Sequence, residues 1–194
     1  MKAIETYFDY ASPWAYLASE LMPRKLPSLG AAIVYRPIYL RGLESFSKGM
    51  PYSSSKLAYL MRDLARCAEY EGVTLTAPPS FPIDGLHALR GAIVAQESGA
   101  FDRYHRQAFR AAWAEGRDIM KKEVVGTILA EALGSSEATA LEAMAVPAIK
   151  ERLREATAAA EARGVFGVPS FFVGDEMFWG HDRFDYVARA AKGT

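Results

Sequence analysis

Strand-forming sequence in this chain is confined to its two ends, and that placement limits the folds open to it more than any other feature. Ile4 to Tyr10 is short and rich in β-formers, Ala31 to Tyr39 resembles a second strand, and strand character returns only at Ser170 to Val173 and Met177 to Trp179. The last two flank Gly174-Asp175-Glu176 and read as a hairpin. Between the two ends the pattern is helical: roughly Ser55 to Tyr70, Asp84 to Glu97, Phe101 to Glu115, Asp118 to Leu133 and Pro147 to Arg163. Gly72, Gly99, Gly116, Gly134 and Gly164 fall where helix C-caps are expected. Three prolines within Ala77 to Pro82 exclude helix there. The order β-α-β, helices, β-hairpin, helix therefore predicts one sheet built from both ends and interrupted by a helical insert. Residues 1–40 and 165–194 would form the sheet-bearing unit and 41–164 the insertion.

At the front of the chain, strand passes directly into helix. Ser12 is a favoured N-cap, Pro13 suits the first helical turn, and Trp14, Leu17, Ala18 and Leu21 recur at helical spacing. Pro37 places the second strand at a sheet edge or a bulge. At the back, Phe184, Val187, Ala188 and Ala191 mark a last amphipathic helix, with Asp182 expected as its cap.

Composition narrows the function classes. The chain has 194 residues, 51% hydrophobic, enough to bury one sizeable core. Lys+Arg and Asp+Glu both number 23, and the basic residues are dispersed, which disfavours nucleic acid and anionic membranes as partners. No window approaches a membrane span and no leader pattern follows Lys2, so a cytoplasmic location is expected. The single cysteine, Cys67, allows no disulfide framework or Cys-x-x-Cys pair and reads as a small core residue. His87, His105 and His181 lack metal-ligand spacing, and no metal is expected.

Three places carry potential chemistry. Ser12 sits at a helix N-terminus, where unpaired N–H groups and partial positive charge stabilise an anion. Without a nearby Ser-His-Asp arrangement its hydroxyl suits hydrogen bonding to a thiolate better than attack. Gly167-Val168-Pro169-Ser170 precedes the hairpin. A cis Val168-Pro169 bond would turn the Val168 peptide groups toward an extended ligand, whereas a trans bond would mark only a strand start. Gly180-His181-Asp182-Arg183 combines free backbone donors with an aspartate that can take an ammonium group, which together suit an α-amino acid head. Lys56, Tyr59, Asp63 and Arg66 share one helix face, which by itself reads as a solvated surface.

Phe8-Asp9-Tyr10-Ala11-Ser12-Pro13-Trp14-Ala15-Tyr16-Leu17, Gly164-Val165-Phe166-Gly167-Val168-Pro169 and Met177-Phe178-Trp179-Gly180-His181-Asp182-Arg183 resemble the opening and closing motifs of the 2-hydroxychromene-2-carboxylate isomerases. These are relatives of kappa-class glutathione transferases and DsbA proteins. The resemblance runs nearly end to end and implies an α/β, thioredoxin-like fold with a large all-helical insertion, glutathione as cofactor and a homodimer. It further implies that Ser12 hydrogen-bonds the glutathione sulfur, that Val168 pairs with the glutathione backbone before a cis Pro169, and that Asp182 holds the γ-glutamyl end; the adjoining His181, expected among the cofactor-binding residues, stands where these relatives often carry Gln or Ser. Lys56 would bind glutathione or a substrate carboxylate. The implied reaction is cis-trans isomerisation of an aromatic α-keto or chromene carboxylate by reversible thiolate addition, with Trp14, Trp113 and Phe46 as candidate apolar wall. A transferase that leaves glutathione on its substrate and a non-catalytic glutathione- or peptide-binding module are the rival readings. Where these relatives usually read Gly-Asn-x-Pro-Pro, this chain has Gly49-Met50-Pro51-Tyr52, so an active-site amide is replaced by a thioether.

Overall fold

A computed structural model describes residues 2–26 and 30–193; the outermost positions of the expected sheet-bearing unit, 1 and 194, lie outside them. β1 (Ile4–Phe8), β2 (Ile33–Pro37), β3 (Ser170–Val173) and β4 (Glu176–Trp179) form one sheet in the order β2-β1-β3-β4. β1 runs parallel to β2, with Ile4 opposite Ile33 and Phe8 opposite Pro37. It runs antiparallel to β3, with Ile4 opposite Val173 and Tyr7 opposite Ser170. Pro37 closes an edge strand, where a residue without an N–H is tolerated. β3 and β4 form the expected hairpin, turning at Gly174 with φ 63°.

Eight α-helices and two short 3-10 helices, Leu40–Gly42 and Glu44–Phe46, are the helical elements among the described residues. α1 (Pro13–Lys25) and α8 (Phe184–Lys192) pack on each other, and α8 also packs on β3 and β4. Between β2 and β3 run α2 (Ser54–Glu71), α3 (Leu86–Glu97), α4 (Phe101–Trp113), α5 (Lys122–Leu133), α6 (Glu137–Ala145) and α7 (Pro147–Ala162). α3 and α7 reach back to β2, so the helical insertion is anchored on the sheet edge. Arg163, just past α7, ties the two together by donating to Glu5 Oε1 at 2.8 Å, Tyr7 Oη at 2.8 Å and the Gly174 carbonyl at 3.1 Å. No helix among the described residues is long and apolar enough to cross a membrane.

The sequence pattern misplaces some boundaries and omits one helix. α6 is short and alanine-rich with no long apolar stripe; its signal is the cap, Ser136 Oγ accepting the Thr139 N–H at 3.1 Å. α3 starts at Leu86 rather than Asp84, because Asp84 Oδ1 accepts the Leu86 N–H at 3.0 Å and stays outside the helix. Asp118 and Lys121 belong to a turn before α5, not to the helix. Gly72 and Gly134 are left-handed C-caps, while Gly99, Gly116 and Gly164 take positive φ one or two residues beyond their helices' caps.

The core is continuous from sheet to insertion. His105, 5% exposed on α4, sits among the rings of Phe8, Tyr35, Phe101 and Phe109, with centroids 4.6 to 5.0 Å away. Its Nδ1 meets Tyr10 Oη at 3.1 Å and its Nε2 meets Ser19 Oγ at 3.3 Å, so a neutral imidazole finds one donor and one acceptor. Trp113 is likewise core, 1% exposed, donating from Nε1 to the Tyr10 carbonyl at 2.8 Å. Gly91 on α3 lets α4 approach: a Cβ there would lie 2.3 Å from Tyr104 Oη, which donates to the Ala88 carbonyl.

Gly91→Ala should therefore destabilise the protein by about 1–3 kcal/mol in equilibrium denaturation despite alanine's better helix propensity. Burial lowers the His105 pKa from 6.5 to about 3, so below pH 6.5 the unfolded chain binds a proton that the folded one refuses. Its contribution to stability is complete above pH 6.5 and is lost as pH falls. Between pH 7 and 5 the wild type should lose about 2 kcal/mol more unfolding free energy than His105→Gln, measured by denaturant titration at each pH.

Candidate active site

β1 ends at Phe8, and Asp9-Tyr10-Ala11 turns the chain into α1. Ser12 is the N-cap, with φ −96° and ψ 115°, and is 6% exposed. Its N–H donates to the Asp9 carbonyl at 3.0 Å, and its Oγ accepts the Ala15 N–H at 3.2 Å. The hydroxyl proton is directed at the Val168 carbonyl, 3.3 Å away. Since β1 pairs with β3, the segment just before β3 is delivered beside the segment just after β1. This brings together residues 156 apart in sequence.

The Val168-Pro169 bond is cis. Of the two Val168 peptide groups expected to be open to a ligand, the carbonyl is engaged by Ser12, whereas the N–H donates to no group among the described residues. The Pro169 carbonyl accepts the Gly180 N–H at 3.0 Å, extending the hairpin ladder and drawing Gly180 to Arg183 toward Ser12.

A cavity of about 430 Å³ is lined by Ser12, Lys56, Val168, Pro169, His181 and Asp182, so the catalytic and glutathione-binding candidates border one space. Trp14 and Phe46 line it as well; Trp113 lies in the core instead. His181 stacks on Trp14, with centroids 4.7 Å apart and planes 29° from parallel. Burial outweighs the nearby Asp182, Asp63 and Glu71 carboxylates and lowers its pKa, favouring the neutral ring.

Asp182 is not the cap of α8. The N-cap is Arg183, and no side chain caps the helix. Gly180, at φ 120°, instead folds the chain so that Asp182 Oδ1 lies 2.7 Å from where a Gly180 Cβ would stand. The Asp182 carboxylate is half exposed at the cavity rim, 3.3 Å from the Arg183 guanidinium.

Lys56 enters from the first turn of α2, with Nζ 4.7 Å from the Tyr52 ring centroid. It has no carboxylate within ion-pair distance among the described residues. Farther along the helix, Tyr59, Asp63 and Arg66 bond one another across 3.5 and 3.9 Å, a surface arrangement as their spacing suggests. Cys67 is partly buried, and burial, followed by Asp63 and Asp182, raises its thiol pKa, opposite to what a nucleophile requires.

Sequence reasoning missed four contributors. Tyr52 faces Lys56, and Phe166 and Trp179 pair at 5.1 Å on the rim while remaining about half exposed. No periodicity marks an aromatic as rim rather than core. Asp9, 1% exposed, stands directly behind Ser12, and an acidic residue inside the apolar run Tyr7-Phe8-Asp9-Tyr10 was its signal. A second cavity of about 310 Å³, between α3, α7 and the Tyr39–Gly42 turn, contains none of the named site residues.

The DSBA-like thioredoxin domain model matches residues 3–192. A 2-hydroxychromene-2-carboxylate isomerase of Sphingobium xenophagum is 32% identical over 191 residues, covering 96% of this chain and 96% of the relative. The human glutathione S-transferase kappa 1 is 25% identical, covering 96% of this chain and 89% of its own. Among solved structures, a 2-hydroxychromene-2-carboxylate isomerase superposes with a TM-score of 0.82 at 30% identity, over 98% of this chain and 94% of that one. The domain match over residues 3–192, the near end-to-end identity and the superposition agree, and the chain belongs to the DsbA-like thioredoxin-fold family, within it to the 2-hydroxychromene-2-carboxylate isomerase family.

Proposed function

We propose that the protein is a glutathione-dependent cis-trans isomerase of aromatic α-keto or chromene carboxylates. The observation that carries this reading is the cavity in which Ser12, at the positive end of α1, faces a largely apolar space bordered by the exposed cation Lys56, which has no carboxylate within ion-pair distance among the described residues. The residues present fit glutathione. The free Val168 N–H suits an extended peptide, the half-exposed Asp182 carboxylate suits an ammonium group, and His181 lies beside it. When bound, glutathione would supply a thiolate that adds reversibly to the conjugated double bond and allows it to rotate.

The chain's own groups prepare that chemistry. α1 has no acidic residue in its first turn, so its N-terminal field is unopposed from within the helix and favours an anion at Ser12. The Ser12 hydroxyl has one proton, now given to Val168, and turning it toward a sulfur anion would release the Val168 carbonyl for the peptide. Lys56 would hold the substrate carboxylate, while Trp14, Phe46 and Met50 line the space with apolar surface and exclude water. Met50 offers no amide to a substrate hydroxyl, which biases the site toward the less polar members of the class. The same reading carries a cytoplasmic location and a homodimer, the latter tested by light scattering on purified protein.

Incubation with glutathione and a 2-hydroxychromene-2-carboxylate should yield the trans-keto acid with free glutathione undiminished. Accumulation of a stable glutathione adduct would instead mark a transferase, and no conversion would leave a binding module. Ser12→Ala should move the ionisation of bound glutathione, followed by thiolate ultraviolet absorbance, back toward the free-thiol value of roughly 8.5 or above. Lys56→Met should raise KM for the carboxylate about 10- to 100-fold, the worth of a charge-assisted hydrogen bond, and leave the thiolate titration in place.

A further inference from the structure

One buried acid, Asp9, has no part in the glutathione site as proposed, and the role inferred for it rests on that reading of the cavity. The two carboxylate oxygens of Asp9 are divided between two walls of the cavity: Oδ1 accepts the Ala11 N–H at 2.9 Å, and Oδ2 accepts the Leu40 N–H at 2.8 Å. Ala11, Ser12 and Leu40 all border the cavity, and the Ser12 N–H is held by the Asp9 carbonyl. On a third side the backbone of Gly85 presses on the carboxylate, since a Cβ there would lie 2.1 Å from Oδ1. We propose that Asp9 is the positioning residue of this site, its carboxylate fixing the Ser12 wall relative to the Leu40 wall.

The charge on Asp9 acts in two ways. An ionised carboxylate offers acceptors to both N–H groups; a protonated one turns an oxygen into a hydroxyl and weakens one of the two bonds. An anion behind the head of α1 also opposes a thiolate at Ser12, so the two ionisations are antagonistic and titrate as a coupled pair. Burial brings this switch into the working range, raising the Asp9 pKa to about 7 against the pull of its two backbone donors. Around it, the Asp84 carboxylate raises that pKa further and Arg41 lowers it, with Arg41 and Asp84 3.5 Å apart. Tyr10 and Tyr39 also face it and stay protonated, Tyr10 raised by burial and Tyr39 raised to about 12. As pH rises through about 7, Asp9 ionises, both walls are locked, and a thiolate at Ser12 becomes harder to form.

The test begins with wild-type protein without glutathione, following the Asp9 side-chain carboxyl and the Ala11 and Leu40 amides by NMR against pH. All three should move together with one midpoint, near 7 where burial places the carboxyl; amides that ignore the carboxyl overturn the proposal. With glutathione added, Asp9→Asn should lower the midpoint of bound-thiolate absorbance by about half to one unit and remove the inflection near pH 7 from the kcat profile. An unchanged midpoint and profile would overturn it equally. If wild type forms no bound thiolate at all, the glutathione reading fails, and the titration without glutathione still decides the role of Asp9. That titration also serves if Asp9→Asn does not fold.

Discussion

The antiparallel pairing of β1 with β3 is the interaction on which the rest of the structure depends. It joins the two ends of the chain across the entire helical insertion. The entropy of closing such a loop grows only with the logarithm of its length, so a long insertion is cheap once the strands have a buried sheet to join. β3 is buried at all four positions, and Ile4, Tyr7 and Phe8 of β1 are core residues, which gives the pairing its driving force. Val168 can reach Ser12 only because β3 lies beside β1, and Gly180 to Arg183 can reach the cavity only because β4 follows β3.

The site concentrates its polarity at few points. A hydroxyl at a helix head, one free N–H, a neutral imidazole stacked on an indole and a cation over a phenol ring surround a mostly apolar space. Electrostatic interactions strengthen where water is excluded, so the buried Ser12 hydroxyl and Val168 N–H count for more than they would on an open surface. The Ser12 hydroxyl illustrates the economy of the arrangement. It caps α1 through its oxygen and holds Val168 through its proton, so helix stability and readiness to meet a ligand share one atom.

Much of this was legible in the sequence because it comes from local rules. Ser12-Pro13 announces a helix start, the glycines announce helix ends, and Pro37 announces an edge. The convergence of Ser12, Lys56, Val168 and His181 on one space is not local and came from motif resemblance. What stayed hidden depended on tertiary context. Gly85 falls inside the helix expected from Asp84 to Glu97, yet its lack of a side chain is required by Asp9 on another element. Asp182 reads as a cap, yet the positive φ of Gly180 turns it toward the cavity rim. The Ser12 bond to the Val168 carbonyl altered the expected pairing surface, and no pattern in one segment could show it.

The turn that carries Leu40 has a hollow on either side. Leu40 borders the larger cavity, while its neighbours Tyr39 and Gly42 border the smaller one, where Arg90, Lys150 and Arg154 are gathered. The Tyr39 N–H is fastened to Thr157 Oγ1 at 3.0 Å on one side and the Leu40 N–H to Asp9 on the other. The partition between the two spaces is thus one strand of backbone thick, pinned from opposite faces by adjacent peptide groups. Evolution cannot reshape either chamber at this turn without redecorating the wall of its neighbour.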